Sequence, residues 1–251
     1  MVLLRGFETS QLRHVGMPLA MAILMFRAVC IPATLDSTPA PSNVGNADYP
    51  RIAPDLRVTF QLKAPNAKQI QLRGGAGLVR DTIESSRGDD GVWTATTPPA
   101  VPGFHYYWFV VDGLNVNDPA SYTYFVWGRE TSGIAVPEAG VDFYNAKEGV
   151  PHGEVRSRWY QSKITGKWRR VNVYTPPDYD KDSNARYPVL CLLHGAGEIE
   201  RGWIEQGRAN FILDNLIAGI KHELYSSPDT DHEWQTWRRC LHDLSLRLFR
   251  D

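Results

Sequence analysis

Hydrophobic positions alternate with polar positions over several short stretches in the first half of the chain. Residues 56–65 place Leu56, Val58, Phe60 and Leu62 on one side, which is the period of a half-buried β-strand. The same pattern recurs at 68–74 and 88–98. A long apolar stretch at 103–113 and an aromatic stretch at 121–128 follow, with turn-forming residues between the stretches. Several strands at this spacing predict a β-sandwich over residues 48–145.

The second half of the chain has a different pattern. Residues 154–175 predict two strands around a Thr165–Gly166 turn, and residues 187–197 (YPVLCLLHGAG) begin with a run that is apolar on both faces. Such a run is typical of a buried strand in a parallel sheet. A helix over 202–219, a strand over 220–225 and a helix over 233–249 are predicted to follow, which favours an α/β layered domain over residues 146–251.

Within the predicted 202–219 helix, Phe211, Leu213 and Leu216 form the expected apolar side, and Gly219 is the expected stop. We also predict that the strand at 220–225 pairs with the strand that begins at 187, because crossover connections of this kind favour parallel neighbours.

The N-terminal residues 1–47 are predicted to be a signal-like leader and a linker. An apolar run over residues 15–26 follows two arginines, and it is shorter than the ~20 residues that span a bilayer. It matches a signal-peptide core with Ala33 as a cleavage position, which predicts a secreted or periplasmic protein without a membrane span. An amphipathic or mis-started leader is the alternative, since Arg27 directly follows the run.

Composition narrows the classes of function. The formal net charge is −1 and no run of Lys or Arg forms a basic stripe, so nothing points to nucleic-acid binding. The scattered cysteines Cys30, Cys191 and Cys240 form neither a disulfide framework nor a metal site. We expect no metal and no cofactor, and we expect Cys191 to be a small buried hydrophobic residue.

The turn HGAG at residues 194–197 is the first candidate for chemistry. Small residues after a buried strand let the backbone approach a substrate closely, so the N–H groups of Gly195 and Ala196 are candidate donors to an oxyanion. His232 follows a predicted strand and precedes the last helix, where an α/β-hydrolase keeps its general base. A surface-loop histidine is the alternative for His232.

The serine nucleophile of such an enzyme is not found. The chain contains no G-x-S-x-G sequence, which is the turn that presents the serine in this class. Ser226 and Ser227 lie near His232 in sequence but do not lie on such a turn. Asp229 and Asp231 could hydrogen-bond His232, although carboxylates in loops usually face water.

Aromatic residues suggest a second kind of site. Trp127, beside Gly128 in a loop, is a candidate for stacking on sugar, and Trp203 is a further substrate-binding candidate. Tyr106 and Trp108 lie in a strand with apolar residues on both sides, so we expect them in the core. A seam between the two domains is the alternative for these aromatics.

Taken together, these stretches resemble two-domain esterases of the feruloyl-esterase and enterochelin-esterase (esterase D) group. The resemblance runs from about Asp48 to the C-terminus and includes YPRIAPDLRVTFQLKAPNAKQIQL, VRSRWYQSKITGKWRRVNVYTPPDYD, YPVLCLLHGAGEIERGW and DHEWQTWRR. It implies an N-terminal early-set immunoglobulin-like sandwich followed by an α/β-hydrolase domain. It also implies His232 as base and Gly195 and Ala196 as oxyanion-loop backbone.

The chain departs from that group between its helix at 202–219 and His232. The family carries the nucleophile strand and the acidic triad member there, whereas here the two flanks meet near residues 218–220, as after an internal deletion. The resemblance therefore implies a feruloyl or acyl-sugar esterase with little or no activity, whose partners are plant cell-wall carbohydrate or hydroxycinnamoyl esters. A non-catalytic carbohydrate-associated binding protein or a non-functional remnant is the alternative. Oligomeric state is left open.

Overall fold

The computed structural model of the chain describes residues 36–219 and 238–242. The leader with Cys30 and Ala33, the predicted strand at 220–225 with its pairing, and most of the predicted closing helix lie outside the described residues. Residues 238–242, from that helix, are helical. In the described parts of the chain, no helix is long and apolar enough to cross a membrane.

Eleven strands form two antiparallel sheets. They are β1 (Thr38–Pro39), β2 (Arg51–Ile52), β3 (Arg57–Lys63), β4 (Ile70–Gly74), β5 (Ile83–Glu84), β6 (Ser86–Arg87), β7 (Val92–Pro99), β8 (Gly103–Val111), β9 (Leu114–Val116), β10 (Thr123–Val126) and β11 (Arg129–Val136). One sheet has the order β1-β2-β3-β7-β6, and the other has the order β10-β11-β8-β4-β5 with β9 paired to β8. The alternating stretches of the sequence therefore predicted the main strands correctly.

The two sheets share one hydrophobic core, as in a β-sandwich. Phe60 of β3 packs against Tyr107 of β8, with ring centroids 4.7 Å apart. The rest of the core comes from the inward positions of both sheets, including Val58, Ile70, Leu72, Trp93, Ala95, Phe109, Ile134 and Val136. Burial of these apolar side chains is the main stabilising contribution of this half of the chain.

Within its described residues, the second half contains one hairpin, two short helices and the helical residues 238–242. The hairpin pairs β12 (Glu154–Gln161) with β13 (Trp168–Thr175) and turns through Gly166 at a φ of 66°, as predicted. A single 3₁₀ turn covers Tyr179–Lys181. Helices α1 (Gly202–Glu205) and α2 (Ala209–Ile217) follow. A second core, built on Tyr144, Ala209, Ile212 and Leu241, joins them to the helical residues 238–242.

The single helix predicted over residues 202–219 is wrong in two respects. It is broken between α1 and α2, where Arg208 adopts a left-handed φ of 52°. The fully buried side of α2 consists of Ala209, Ile212, Asp214 and Asn215. Of the predicted apolar side, Leu216 packs against the second core, whereas Phe211 and Leu213 are only partly buried. The predicted stop is confirmed, since α2 ends just before Gly219, whose φ is 72°.

The buried strand predicted to begin at residue 187 is also wrong, because residues 187–194 belong to no sheet. Leu190 and Leu192 pack against the second core, whereas Val189 and Leu193 are each 86% exposed and Cys191 is exposed rather than buried. A strand that is apolar on both faces needs neighbours to pair with and helices to cover it. Within the described residues this run has no strand neighbour, and one of its two faces is uncovered.

Candidate active site

The HGAG turn, residues 194–197, is held together by its own short-range hydrogen bonds. The N–H of Glu198 donates to the carbonyl oxygen of Gly195 at 3.3 Å, which closes the turn. Nδ1 of the exposed His194 lies 2.9 Å from the same carbonyl oxygen. Gly197 adopts a φ of +79°, a left-handed conformation that glycine accepts without steric cost. The loop thus has the small-residue geometry that the sequence predicted.

The Glu198 side chain accepts a hydrogen bond from one of the two backbone N–H groups predicted to be oxyanion donors. The N–H of Gly195 donates to Oε2 of Glu198 at 3.1 Å, and the hydroxyl of Tyr106 donates to Oε1 of the same carboxylate at 3.0 Å. An oxyanion hole works through donors that are already aimed at the place where negative charge develops. Here a carboxylate already accepts from the Gly195 donor, so an oxyanion would have to displace it.

The HGAG turn lies directly against the sandwich. A Cβ atom on Gly197 would lie 3.1 Å from the backbone nitrogen and Cα of Trp127. The N–H of Gly128 donates to the carbonyl oxygen of Gly197 at 3.3 Å. Trp127 and Gly128 form the two-residue connection between β10 and β11, both with positive φ, as a type I′ turn requires. The loop and this turn therefore form one seam.

Trp127 belongs to an aromatic cluster on the outer side of the β8 sheet. Its ring lies edge-on to Tyr106 at 5.6 Å and to Trp108 at 5.8 Å, and the Arg129 guanidinium lies 4.4 Å from the centroid of Trp108. The prediction that Tyr106 and Trp108 are core residues is wrong, because they alternate with the buried Tyr107 and Phe109 and face away from the core. Trp127 remains 55% exposed.

The other sequence-predicted site residues are placed as follows. Trp203 is the second residue of α1 and is partly exposed. Its indole N–H donates to the carbonyl oxygen of Leu193 at 2.9 Å, so it anchors the chain just before the HGAG turn. His232 lies outside the described residues, as do Ser226, Ser227 and their neighbouring aspartates. The described structure therefore brings together the loop of Gly195 and Ala196 and the Trp127 turn.

A buried carboxylate that sequence reasoning missed joins the hairpin to α2. Asp214 is 1% exposed and accepts three hydrogen bonds: from Nδ1 of His152 at 2.9 Å, from the N–H of Gly153 at 2.8 Å and from the hydroxyl of Tyr174 at 2.7 Å. Burial, followed by the hydrogen bond and the negative charge of Asp214, raises the pKa of Tyr174 above its ordinary value. Through these three hydrogen bonds Asp214 links α2 to the hairpin and to the residues just before it; we call this contact the Asp214 clamp.

Asp214 and Glu198 both went unnoticed in the sequence. Asp214 sits at an ordinary helical position, and Glu198 is part of a polar turn. A Glu three positions after Gly195 can reach back to its backbone N–H, as in a capping box, and this spacing could have indicated the Glu198 contact. In the residues that the structure describes, no group of three or more His, Cys, Asp or Glu side chains could hold a metal ion.

Comparison with known proteins adds a relative in sequence. The chain is 40% identical over 190 residues to an endo-1,4-beta-xylanase/feruloyl esterase of Xylanibacter ruminicola, and the match covers 74% of this chain and 26% of the relative. The chain thus spans about a quarter of the length of that relative. No family model matches the chain.

Two solved structures are also similar. Ferric enterobactin esterase from Salmonella typhimurium is 17% identical with a TM-score of 0.44, over 65% of this chain and 50% of that chain. The enterobactin esterase from Shigella flexneri is 17% identical with a TM-score of 0.37, over 46% and 39% of the two chains.

Proposed function

We propose that the chain is a carboxylic-ester hydrolase of the feruloyl or acyl-sugar type that hydrolyses esters very slowly or not at all. The similarity to a xylanase/feruloyl esterase supports the type of reaction. The observation that carries the low activity is the 3.1 Å hydrogen bond from the Gly195 N–H to Glu198. The absence of G-x-S-x-G from the chain supports the same conclusion.

The usual cost of losing a triad nucleophile indicates how low the activity is. Loss of the nucleophile of a catalytic triad costs on the order of 10⁶ in turnover, whereas an oxyanion hole and binding alone retain roughly 10³–10⁴ over water. The Glu198 carboxylate lowers even this remainder, because an oxyanion at Gly195 would meet a like charge. In this reading His232 is the family base, Gly195 and Ala196 are the oxyanion loop, and no residue replaces the serine.

The domain arrangement is part of the proposal. Residues 48–145 are an early-set immunoglobulin-like sandwich, and residues 146–251 are an α/β-hydrolase domain that lacks an internal segment, with the junction near 218–220. The uncovered side chains of Val189 and Leu193 support the missing segment, since the lost strands and helices would have covered that face. We place the leader of a secreted or periplasmic protein before residue 36. The predicted linker is wrong in its last part, because Thr38–Pro39 form β1 of the sandwich and Ala40 is buried in its core.

The test is hydrolysis of methyl ferulate by the full chain and by its His232→Ala variant. We expect no turnover that depends on His232. Glu198→Gln serves as the second variant: it removes the negative charge beside Gly195, and we expect a small gain in the residual rate that stays far below the roughly 10⁶-fold lost with the nucleophile. Robust hydrolysis that His232→Ala abolishes would overturn the proposed low activity.

A non-catalytic carbohydrate-binding role is the second candidate, and the exposure of Trp127 favours it. The ring is held edge-on by two aromatic neighbours and keeps 55% of its surface open, as a platform for a sugar ring requires. Pull-down with insoluble xylan compares Trp127→Ala with Leu114→Ala, which removes an even more exposed apolar side chain from the same sandwich. Loss of xylan binding in Trp127→Ala alone supports this role. Undiminished xylan binding by Trp127→Ala would exclude Trp127 as the sugar-binding residue.

A further inference from the structure

The β12–β13 hairpin concentrates positive charge in a chain whose net charge is −1. Residues 154–175 contain six basic residues and one acidic residue, Glu154. Arg156 pairs with Asp180 and Glu154, and Arg170 pairs with Glu200. The other four cations are exposed and have no ion-pair partner in the described parts of the chain: Arg158, Lys163, Lys167 and Arg169.

Strand register places two of these cations beside an exposed aromatic ring. Tyr160 lies directly opposite Arg169, so their Cβ atoms are about 5 Å apart on one face of the hairpin. Arg158 precedes Tyr160 by two residues on the same strand and shares that face, about 7 Å away along the strand. Tyr160 is 49% exposed. This face therefore presents a flat ring between two unpaired guanidinium groups.

The other face of the hairpin contacts the rest of the protein through part of its length. Tyr174 donates to Asp214 there, and Asn172 donates to the carbonyl oxygen of Glu200 at 3.1 Å. On the face of Tyr160, the cation that is paired outside the hairpin is Arg156, with Asp180. The face of Arg158, Tyr160 and Arg169 points the opposite way. Covering two unpaired guanidinium groups with protein would cost several kcal/mol per ion, so this face is suited to water or to an anionic partner rather than to a lost segment of the fold.

We propose that this face binds an acidic polysaccharide built from uronic acid units. Each uronate unit offers a carboxylate, which accepts two parallel hydrogen bonds from a guanidinium fork, and an apolar ring face, which stacks on an aromatic side chain. The alternation of charge and ring in such a polymer matches Arg158, Tyr160 and Arg169. A single-stranded nucleic acid is the competing polyanion, but its binders carry a broad positive surface, which a chain of net charge −1 lacks.

This surface includes neither Trp127 nor His232, and binding to it does not depend on ester hydrolysis. The test is affinity electrophoresis of the full chain in gels containing polygalacturonate, its methyl ester or a single-stranded oligonucleotide. We expect retardation by polygalacturonate that weakens with salt, and little retardation by the other two. Equal retardation by the methyl ester, or retardation by the oligonucleotide as strong as by polygalacturonate, would overturn the proposal.

Variants locate the binding. Replacement of both arginines (Arg158→Gln with Arg169→Gln) removes two exposed ion pairs with the polymer, and we expect about fivefold weaker binding. Tyr160→Leu keeps the charge but removes the flat ring, and we expect a loss of similar size. The matched control, Lys63→Gln with Arg80→Gln, removes two exposed cations from the sandwich. An equal loss in this control would show that only net charge matters and would refute the proposed surface. Thermal unfolding confirms that each variant is folded.

Discussion

Removal of the Asp214 carboxylate is the sharpest test of how the second half of the chain is held together. Asp214→Ala removes the acceptor of three hydrogen bonds, from His152, Gly153 and Tyr174. His152 is partly exposed and can turn to water, but the N–H of Gly153 and the hydroxyl of Tyr174 are left without their acceptor. Each unsatisfied buried donor costs about 1–3 kcal/mol, so we expect a loss of about 2–4 kcal/mol in the free energy of unfolding.

The conservative variant should lose less. In Asp214→Asn the amide oxygen can still accept from Gly153 and Tyr174, and the amide NH₂ can donate to Nδ1 of His152 in its other neutral tautomer. We expect a loss of about half that of the alanine variant.

Urea denaturation followed by circular dichroism measures both losses. Asp81→Ala removes an exposed carboxylate; it is the control and should stay within about 0.5 kcal/mol of the parent. If Asp214→Ala changes stability no more than this control does, the clamp is not what joins the hairpin to α2.

Three further predictions follow from local geometry. Because the pKa of Tyr174 is raised in the folded state, the folded chain keeps a proton that the unfolded chain loses, so the free energy of unfolding falls as the pH rises above about 10. Tyr174→Phe should reduce that fall, and an unchanged alkaline slope in urea titrations would contradict it. Gly197→Ala should destabilise by about 1 kcal/mol more than Gly140→Ala, since both have positive φ but only the former meets Trp127; equal losses in chemical denaturation would count against the seam. The exposed Cys191 thiol should react with a thiol reagent in the native state, measured as the difference in labelled thiol between the parent and Cys191→Ser. A protected Cys191 thiol would mean that residues 187–194 are covered.

The parts of the fold that local pattern encodes were predictable from the sequence. The alternation of Val58, Phe60 and Leu62 fixes which face of β3 is buried, because successive side chains of a strand point to opposite sides. The hairpin and its turn at Gly166 were predictable for the same reason, together with the freedom of glycine at positive φ. In each case the signal lies within about ten residues of the structure that it predicts.

The errors fall where distant parts of the chain decide the outcome. Residues 187–194 have the composition of a buried strand, but a strand forms only beside others, and the described parts of the chain provide none for it. The buried side of α2 was misjudged because Asp214 and Asn215 are buried with hydrogen-bond partners far along the chain. The turn at residues 194–197 was predictable from its small residues, but the hydrogen bond from the Gly195 N–H to Glu198 depends on a side-chain conformation that residue type does not reveal.

The central claim is that the chain keeps the oxyanion loop of an esterase without the activated serine that the loop would serve. A fluorophosphonate probe tests this most directly, because it reacts with a serine whose hydroxyl is activated by a neighbouring base. The full chain is incubated with the probe and its intact mass is measured, with an active serine esterase as the positive control. We expect no adduct on the chain. A stoichiometric adduct on a serine such as Ser226 or Ser227, lost in the His232→Ala variant, would contradict the claim.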